Sequence, residues 1–124
     1  MNIAIIAHDN KKADMVAFVM KRMDFFKKPG TKIYATGTTG KHIQHAGLTV
    51  DCLKSGPYGG DAQIASLLVD GKIDMVLFFI DPLFSHPHEV DIHMLMRLCN
   101  VYDVPLATNY STAKMLVDYN DNNK

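Results

Sequence analysis

The sequence predicts a doubly wound α/β fold, a three-layer sandwich in which a central five-stranded, mainly parallel sheet lies between two layers of helices. Three observations point to it. Five short apolar runs of strand length recur along the chain, the segments between them carry apolar residues at three- and four-residue spacing, and the fourth run is apolar almost throughout. A strand with no polar face has no side to turn to water, so both faces of the sheet must be covered by crossover helices.

The strands are expected at 2–7, 32–35, 48–53, 74–80 and 104–107, the first rich in Ile and the fourth almost uniformly apolar. Helices with one buried face are expected at 12–26, 39–46, 61–70 and 89–102. Ile92, Leu95, Cys99 and Tyr102 mark such a face most clearly. A fifth helix follows the last strand, and only 118–124 reads as a polar, frayed tail.

A length of 124 residues allows one domain, 1–124. Thirteen Lys and Arg balance thirteen Asp and Glu, so no net charge draws in nucleic acid or an anionic membrane surface. The longest apolar run, 75–80, has six residues where a membrane-spanning helix needs about 20. The amino terminus has no basic region ahead of its apolar run, which is unlike a secretion signal and leads to a cytoplasmic expectation. Cys52 and Cys99 each sit in an apolar stretch without a CxxC spacing and read as small buried hydrophobes. The eight methionines read as core and interface filling.

In such folds a ligand sits beyond the carboxyl ends of the strands. Polar segments fall at those ends: His8-Asp9, Thr36-Gly37-Thr38-Thr39-Gly40, Ser55-Gly56-Pro57-Tyr58-Gly59-Gly60-Asp61, Asp81-Pro82-Leu83 and Thr108-Asn109. The 36–40 segment offers hydroxyls and backbone N–H groups before a helix, a cradle suited to phosphate; a turn with threonine capping is its plain alternative. It matches neither GxGxxG nor the P-loop, so a nucleotide is not implied. Lys12 could aim an ammonium at the same anion or simply lie in solvent. Asp61 follows two glycines at a helix start, where it could cap the helix or act as a general base. Asp9, Asp81 and Asp91 are further carboxylates at this edge. The run from His86 to His93 holds three histidines, but a two-residue spacing across Pro87 does not aim two imidazoles at one ion, and no metal site is expected.

At these loops, over nearly its whole length, the sequence resembles the methylglyoxal synthase family. The residues that carry the likeness are Ile6-Ala7-His8-Asp9, Tyr34-Ala35-Thr36-Gly37-Thr38-Thr39-Gly40, the 55–61 loop, 78–83, Pro87-His88 to Asp91, and Arg97-Leu98 through Pro105-Leu106-Ala107-Thr108-Asn109. The resemblance implies a Rossmann-like fold and a lyase that converts dihydroxyacetone phosphate to methylglyoxal and phosphate through an enediolate. It also implies a homohexamer without metal or organic cofactor, with inorganic phosphate as product and inhibitor. Lys12, Thr36, Thr38, Thr39, Ser55 and Gly56 would hold the phosphate, and Asp61 would be the base. His8, Asp9, Asp81, His88 and Asp91 would line the site, His88 near the substrate carbonyl and Asp91 in a supporting network. Ala62 stands where the family commonly has Gln, Val90 where it commonly has Pro, and members usually continue further beyond the fifth helix. Two alternatives share the fold: an effector-sensing module like the regulatory domain of carbamoyl phosphate synthetase, and the cyclohydrolase domain of purine synthesis. Asp61, His88 and Asp91 together argue against the first, and the short chain with its SGPxGGD and DPL motifs against the second.

Overall fold

β1 (Asn2–Ala7) occupies the middle of the sheet because it has no polar side chain between its ends; Ile3, Ala4, Ile5 and Ile6 are all fully buried. Around it the order is β3 (Val50–Leu53), β2 (Lys32–Thr36), β1, β4 (Met75–Phe79) and β5 (Leu106–Ala107). The computed structural model describes residues 1–83 and 92–122. Every strand pair is parallel, with Ile3 opposite both Ile33 and Met75, so the sheet is wholly rather than mainly parallel. This is the Rossmann-like order, with its switch point between β1 and β4. β5 is short because Pro105, which has no N–H to give, precedes it; the Pro105 carbonyl accepts the Val76 N–H at 2.9 Å.

Alternation along the strands assigns each face its helices. Ile3, Ile5, Leu77 and Phe79 pack with Met15, Phe18 and Val19 of α1 (Lys12–Met20), Phe25 and Phe26 of α2 (Met23–Phe26), Ile43 of α3 (Gly37–His45), and Ala113 and Val117 of α6 (Tyr110–Asn122). Ala4, Ile6, Val76 and Phe78 pack with Ile64 and Leu68 of α4 (Gly60–Val69) and Leu95 and Cys99 of α5 (Ile92–Val101). No described helix is long and apolar enough to cross a membrane.

Four expectations need correction. The helix expected over 12–26 is broken at Lys21 and Arg22. The Arg22 N–H turns to the Val19 carbonyl at 3.0 Å, and the guanidinium lies over the Phe18 ring, 4.2 Å from the centroid. α3 starts at Gly37, not Thr39, because Gly37 takes φ +56°, a conformation that admits the helix two residues early. The supposed frayed tail is helical through Asn122, tied by Lys114 to Asp118 at 3.0 Å and by Lys28 to Asp121. Cys52 is exposed because edge strand β3 leaves it beside an open cleft, whereas Cys99 is buried and its thiol is pushed up to about 11 by that burial. The first expected strand holds unchanged, the second gains Thr36, the third, fourth and fifth are trimmed at their ends, and residues 89–91 of the expected fourth helix lie outside the described residues.

Phe18 is fully buried and meets Phe79 and Tyr110 edge-on, at 5.7 and 5.4 Å between centroids, so it joins α1 to both the sheet and α6. Phe18→Ala is expected to cost about 3–5 kcal/mol in urea unfolding with an unchanged m value. A loss below about 1 kcal/mol would show that α6 does not depend on this contact.

Candidate active site

Three strand ends meet at the carboxyl edge of the sheet. The chain leaving β1 continues the ladder for one residue, as the His8 N–H donates to the Phe79 carbonyl at 3.1 Å, and then turns through a 3-10 segment, Asp9–Lys11, into α1. That turn spreads its side chains toward neighbours on both sides. Toward β4, the Asp81 N–H donates to His8 Nδ1 at 2.9 Å and the Asn10 side-chain amide donates to Asp81 Oδ2 at 2.9 Å. Toward β2, Lys12 Nζ donates to Thr38 Oγ1 at 2.8 Å and pairs with Asp9 Oδ1, also at 2.8 Å.

The His8 bond fixes a tautomer. Nδ1 accepts only when it carries no proton, so the neutral ring bears its hydrogen on Nε2. His8 is 6% exposed and stands edge-on to Phe78, 5.2 Å away, which holds the ring's orientation. At Asp81 the Asn10 amide, followed by the Leu83 N–H at 3.0 Å, holds the carboxyl below the ordinary aspartate value.

The β2 end supplies Thr36, which is buried, then Gly37, Thr38 and Thr39 in the first turn of α3. These residues form part of a helix start rather than a free loop. Thr39 is fully buried, and its hydroxyl has no hydrogen-bond partner among the described residues. The β3 end supplies Ser55 and Gly56. The Ser55 carbonyl accepts N–H groups from both Tyr58 and Gly60 at 3.0 Å, closing the 55–60 loop on itself. A Cβ on Gly60 would lie 1.9 Å from the Lys54 carbonyl oxygen, so α4 can begin here only with glycine. Gly59, at φ +102°, caps α4, which places Asp61 in its first turn and not at the cap. Asp61 Oδ1 accepts the Ala62 N–H at 2.8 Å.

Lys12, Gly37, Thr38, Leu53 and Ser55 line a cleft of about 360 Å³ together with Lys41, Cys52 and Lys54. The structure thus joins Lys12, Thr38 and Ser55 in one cleft, sets His8 beside Asp81, and sets Asp9 on Lys12. His88 and Asp91 lie outside the described residues. Asn10, Lys41 and Lys54 were missed in the sequence. Only the three-residue spacing of Lys41 from Thr38 along α3, and the adjacency of Lys54 to Ser55, could have indicated the two lysines. A larger cavity, about 400 Å³, is lined by Lys11, Asp14, Lys21, Ile80, Asn109 and Tyr110 among others. Among the described residues it shares none with the cleft and holds none of the expected site residues. Among the described residues no three His, Cys, Asp or Glu side chains converge as a metal site.

Residues 14–108 match the family model described as the MGS-like domain. Over 118 residues the chain is 52% identical to a methylglyoxal synthase of Geobacillus sp. (strain WCH70), covering 94% of this chain and 83% of that protein. The chain belongs to the methylglyoxal synthase family. A family member from Acholeplasma laidlawii (strain PG-8A) is 49% identical over 120 residues, covering 96% of this chain and 97% of its own. The crystal structure of methylglyoxal synthase from Elizabethkingia anophelis NUHP1 superposes with a TM-score of 0.88 at 41% identity, covering 94% of this chain and 76% of that one. At these identities the family shares this chain's Rossmann-like fold.

Two predictions follow from the geometry. Because the folded Asp81 value lies below its unfolded value, the Asn10–Asp81 contact stabilises the fold above the ordinary aspartate pKa. That stabilisation is lost as pH falls through the depressed value. Carboxyl NMR titration should therefore find Asp81 with a low midpoint that rises in Asn10→Ala; equal midpoints would remove Asn10 as the cause. Gly60→Ala should cost at least about 1–3 kcal/mol, because the obstructing atom is backbone, and thermal unfolding would read it.

Proposed function

We propose that this chain is a carbon-oxygen lyase that converts dihydroxyacetone phosphate to methylglyoxal and inorganic phosphate. The observation that carries this reading is the Lys12 ammonium fixed on Thr38 Oγ1 in a cleft shared with Gly37 and Ser55, one loop away from Asp61. Lys12, Thr36, Thr38, Thr39, Ser55 and Gly56 grip the phosphate from the ends of three strands. The start of α3 adds backbone N–H groups and a positive helix end. The buried Thr39 hydroxyl fits a role within that grip.

Asp61 takes a proton from the hydroxymethyl carbon, whose hydrogen is acidic because the adjacent carbonyl accepts the electron pair. The resulting enediolate gathers charge on oxygen, where donors act most strongly: His88, and His8 through its Nε2–H. Asp81 and Asn10 hold His8, Asp9 holds Lys12, and Asp91 belongs to the network behind His88. Phosphate leaves when its C–O bond stands perpendicular to the enediolate plane. The electron pair then moves into the new C=C bond as the C–O bond breaks. A grip from two sides sets that angle, and favours elimination over return of the proton. The enol released takes up a proton at its terminal carbon, gives up its hydroxyl proton and becomes methylglyoxal.

The same reading makes inorganic phosphate a product inhibitor, needs neither metal nor organic cofactor, and treats 1–124 as one working unit in a cytoplasmic homohexamer. Purified protein should release phosphate and an α-oxoaldehyde in equal amounts from dihydroxyacetone phosphate, with or without a chelator. Effector binding without product would instead identify a sensing module. Thr38→Ala should weaken substrate and inorganic phosphate together, by about 1.5–3 kcal/mol. Asp61→Asn should cost about 0.3–1 kcal/mol in stability, since a charge leaves the first helical turn, while turnover and exchange of the hydroxymethyl hydrogen with solvent fall by orders of magnitude. Retained turnover would assign the base to another carboxylate.

A further inference from the structure

We propose that Lys41 and Lys54 form a cationic rim that captures the phosphorylated substrate ahead of the Lys12–Thr38 grip; this rests on the reading of the cleft as the phosphate site. Both line the same cleft of about 360 Å³ as Lys12, Thr38 and Ser55, and among the described residues no carboxylate lines it. A sphere of that volume is about 9 Å across, so an anion inside lies within about one Debye length of all three lysines at ordinary salt.

The charge of Lys12 is already spoken for. Asp9 Oδ1 lies 2.8 Å from its ammonium, so the pair presents little net charge to an approaching dianion. Neither Lys41 nor Lys54 forms an ion pair with another described residue, in contrast to Lys11, Lys12, Lys28, Lys32 and Lys114. Among the described residues, the cleft's uncompensated positive charge is therefore theirs. The chain as a whole is neutral, with thirteen residues of each sign, and supplies no general field to draw an anion in.

Their anchoring suits a capture role. Lys41 follows Thr38 by three residues on α3, which puts both on one side of the helix. The Lys54 backbone is fixed, its N–H donating to Gln63 Oε1 at 2.8 Å, while its side chain is exposed. Long exposed side chains at a cleft mouth raise the local concentration of a dianion without ordering the reacting carbon. They act on association and KM and leave kcat to the residues inside. They are positioning residues rather than catalytic ones.

The test compares wild type with Lys41→Gln, Lys54→Gln and the double variant. Lys72→Gln removes the same charge at the opposite edge of the sheet, where the Lys72 carbonyl accepts from the Asn2 side chain. Inorganic phosphate binding, read by calorimetry, and kinetics with dihydroxyacetone phosphate are measured at about 20 mM and about 500 mM salt. The double variant should weaken phosphate binding and raise KM roughly tenfold at low salt, and the gap should close to within about twofold at high salt, with kcat unchanged. Lys72→Gln should match wild type. The rim is overturned if the double variant keeps wild-type phosphate affinity and salt dependence while Thr38→Ala loses affinity, or if kcat falls at constant KM. If Thr38→Ala also keeps full phosphate affinity, the reading of the cleft itself fails and the rim fails with it.

Discussion

β1 has neither a free edge nor a wet face, and the placement of every polar group near the site depends on that. Its backbone is paired on both sides and its side chains are covered above and below, so its first chance to present a polar side chain comes where the strand ends. The turn that follows then carries the side-chain connections at that edge: His8 and Asn10 reach Asp81 beyond β4, and Lys12, paired with Asp9, reaches Thr38 at the start of α3. Several side chains of the candidate site are thus the same ones that tie the end of β1 to the segments following β2 and β4. A site built on such a strand has little freedom to drift, which suits chemistry that depends on an angle between a bond and a plane.

The sheet and its helical layers were legible in the sequence because burial on both faces leaves a clear mark: five apolar runs, separated by segments of helical period. The break between α1 and α2 was not legible, since no Gly or Pro marks it. It shows only in the backbone, where the Arg22 N–H turns to the Val19 carbonyl, and hydrophobic spacing carries no sign of that. The start of α3 at Gly37 required a backbone torsion that the letters Thr-Gly-Thr-Thr-Gly permit but do not dictate. Asp61 was readable as lying at a helix start, yet its place in the first turn, with Gly59 as the cap, depended on how closely the Lys54 carbonyl approaches Gly60.

The candidate site was legible where its residues cluster in sequence at strand ends, and illegible where it is assembled from pairs far apart. Lys12 and Thr38 are 26 residues apart, and Asn10 and Asp81 are 71 apart. Periodicity carries no information about such pairs. Side-chain length and charge then decide which cations remain uncompensated, and that too needs coordinates. A neutral composition conceals a cleft whose described lining residues include three lysines and no acid.

The outer strands of the sheet carry a consequence for solution behaviour. An open strand edge invites pairing with the edge of another chain, and long flat edges are where such pairing begins. Here one margin is β5, two residues long and introduced by a proline that can donate nothing. The other is β3, only four residues long, with Asp51 exposed on it and paired with Lys32 of β2. The most apolar strands, β1 and β4, are confined to the interior of the sheet, so its open edges are short ones. The central strands become an aggregation hazard only when the fold opens.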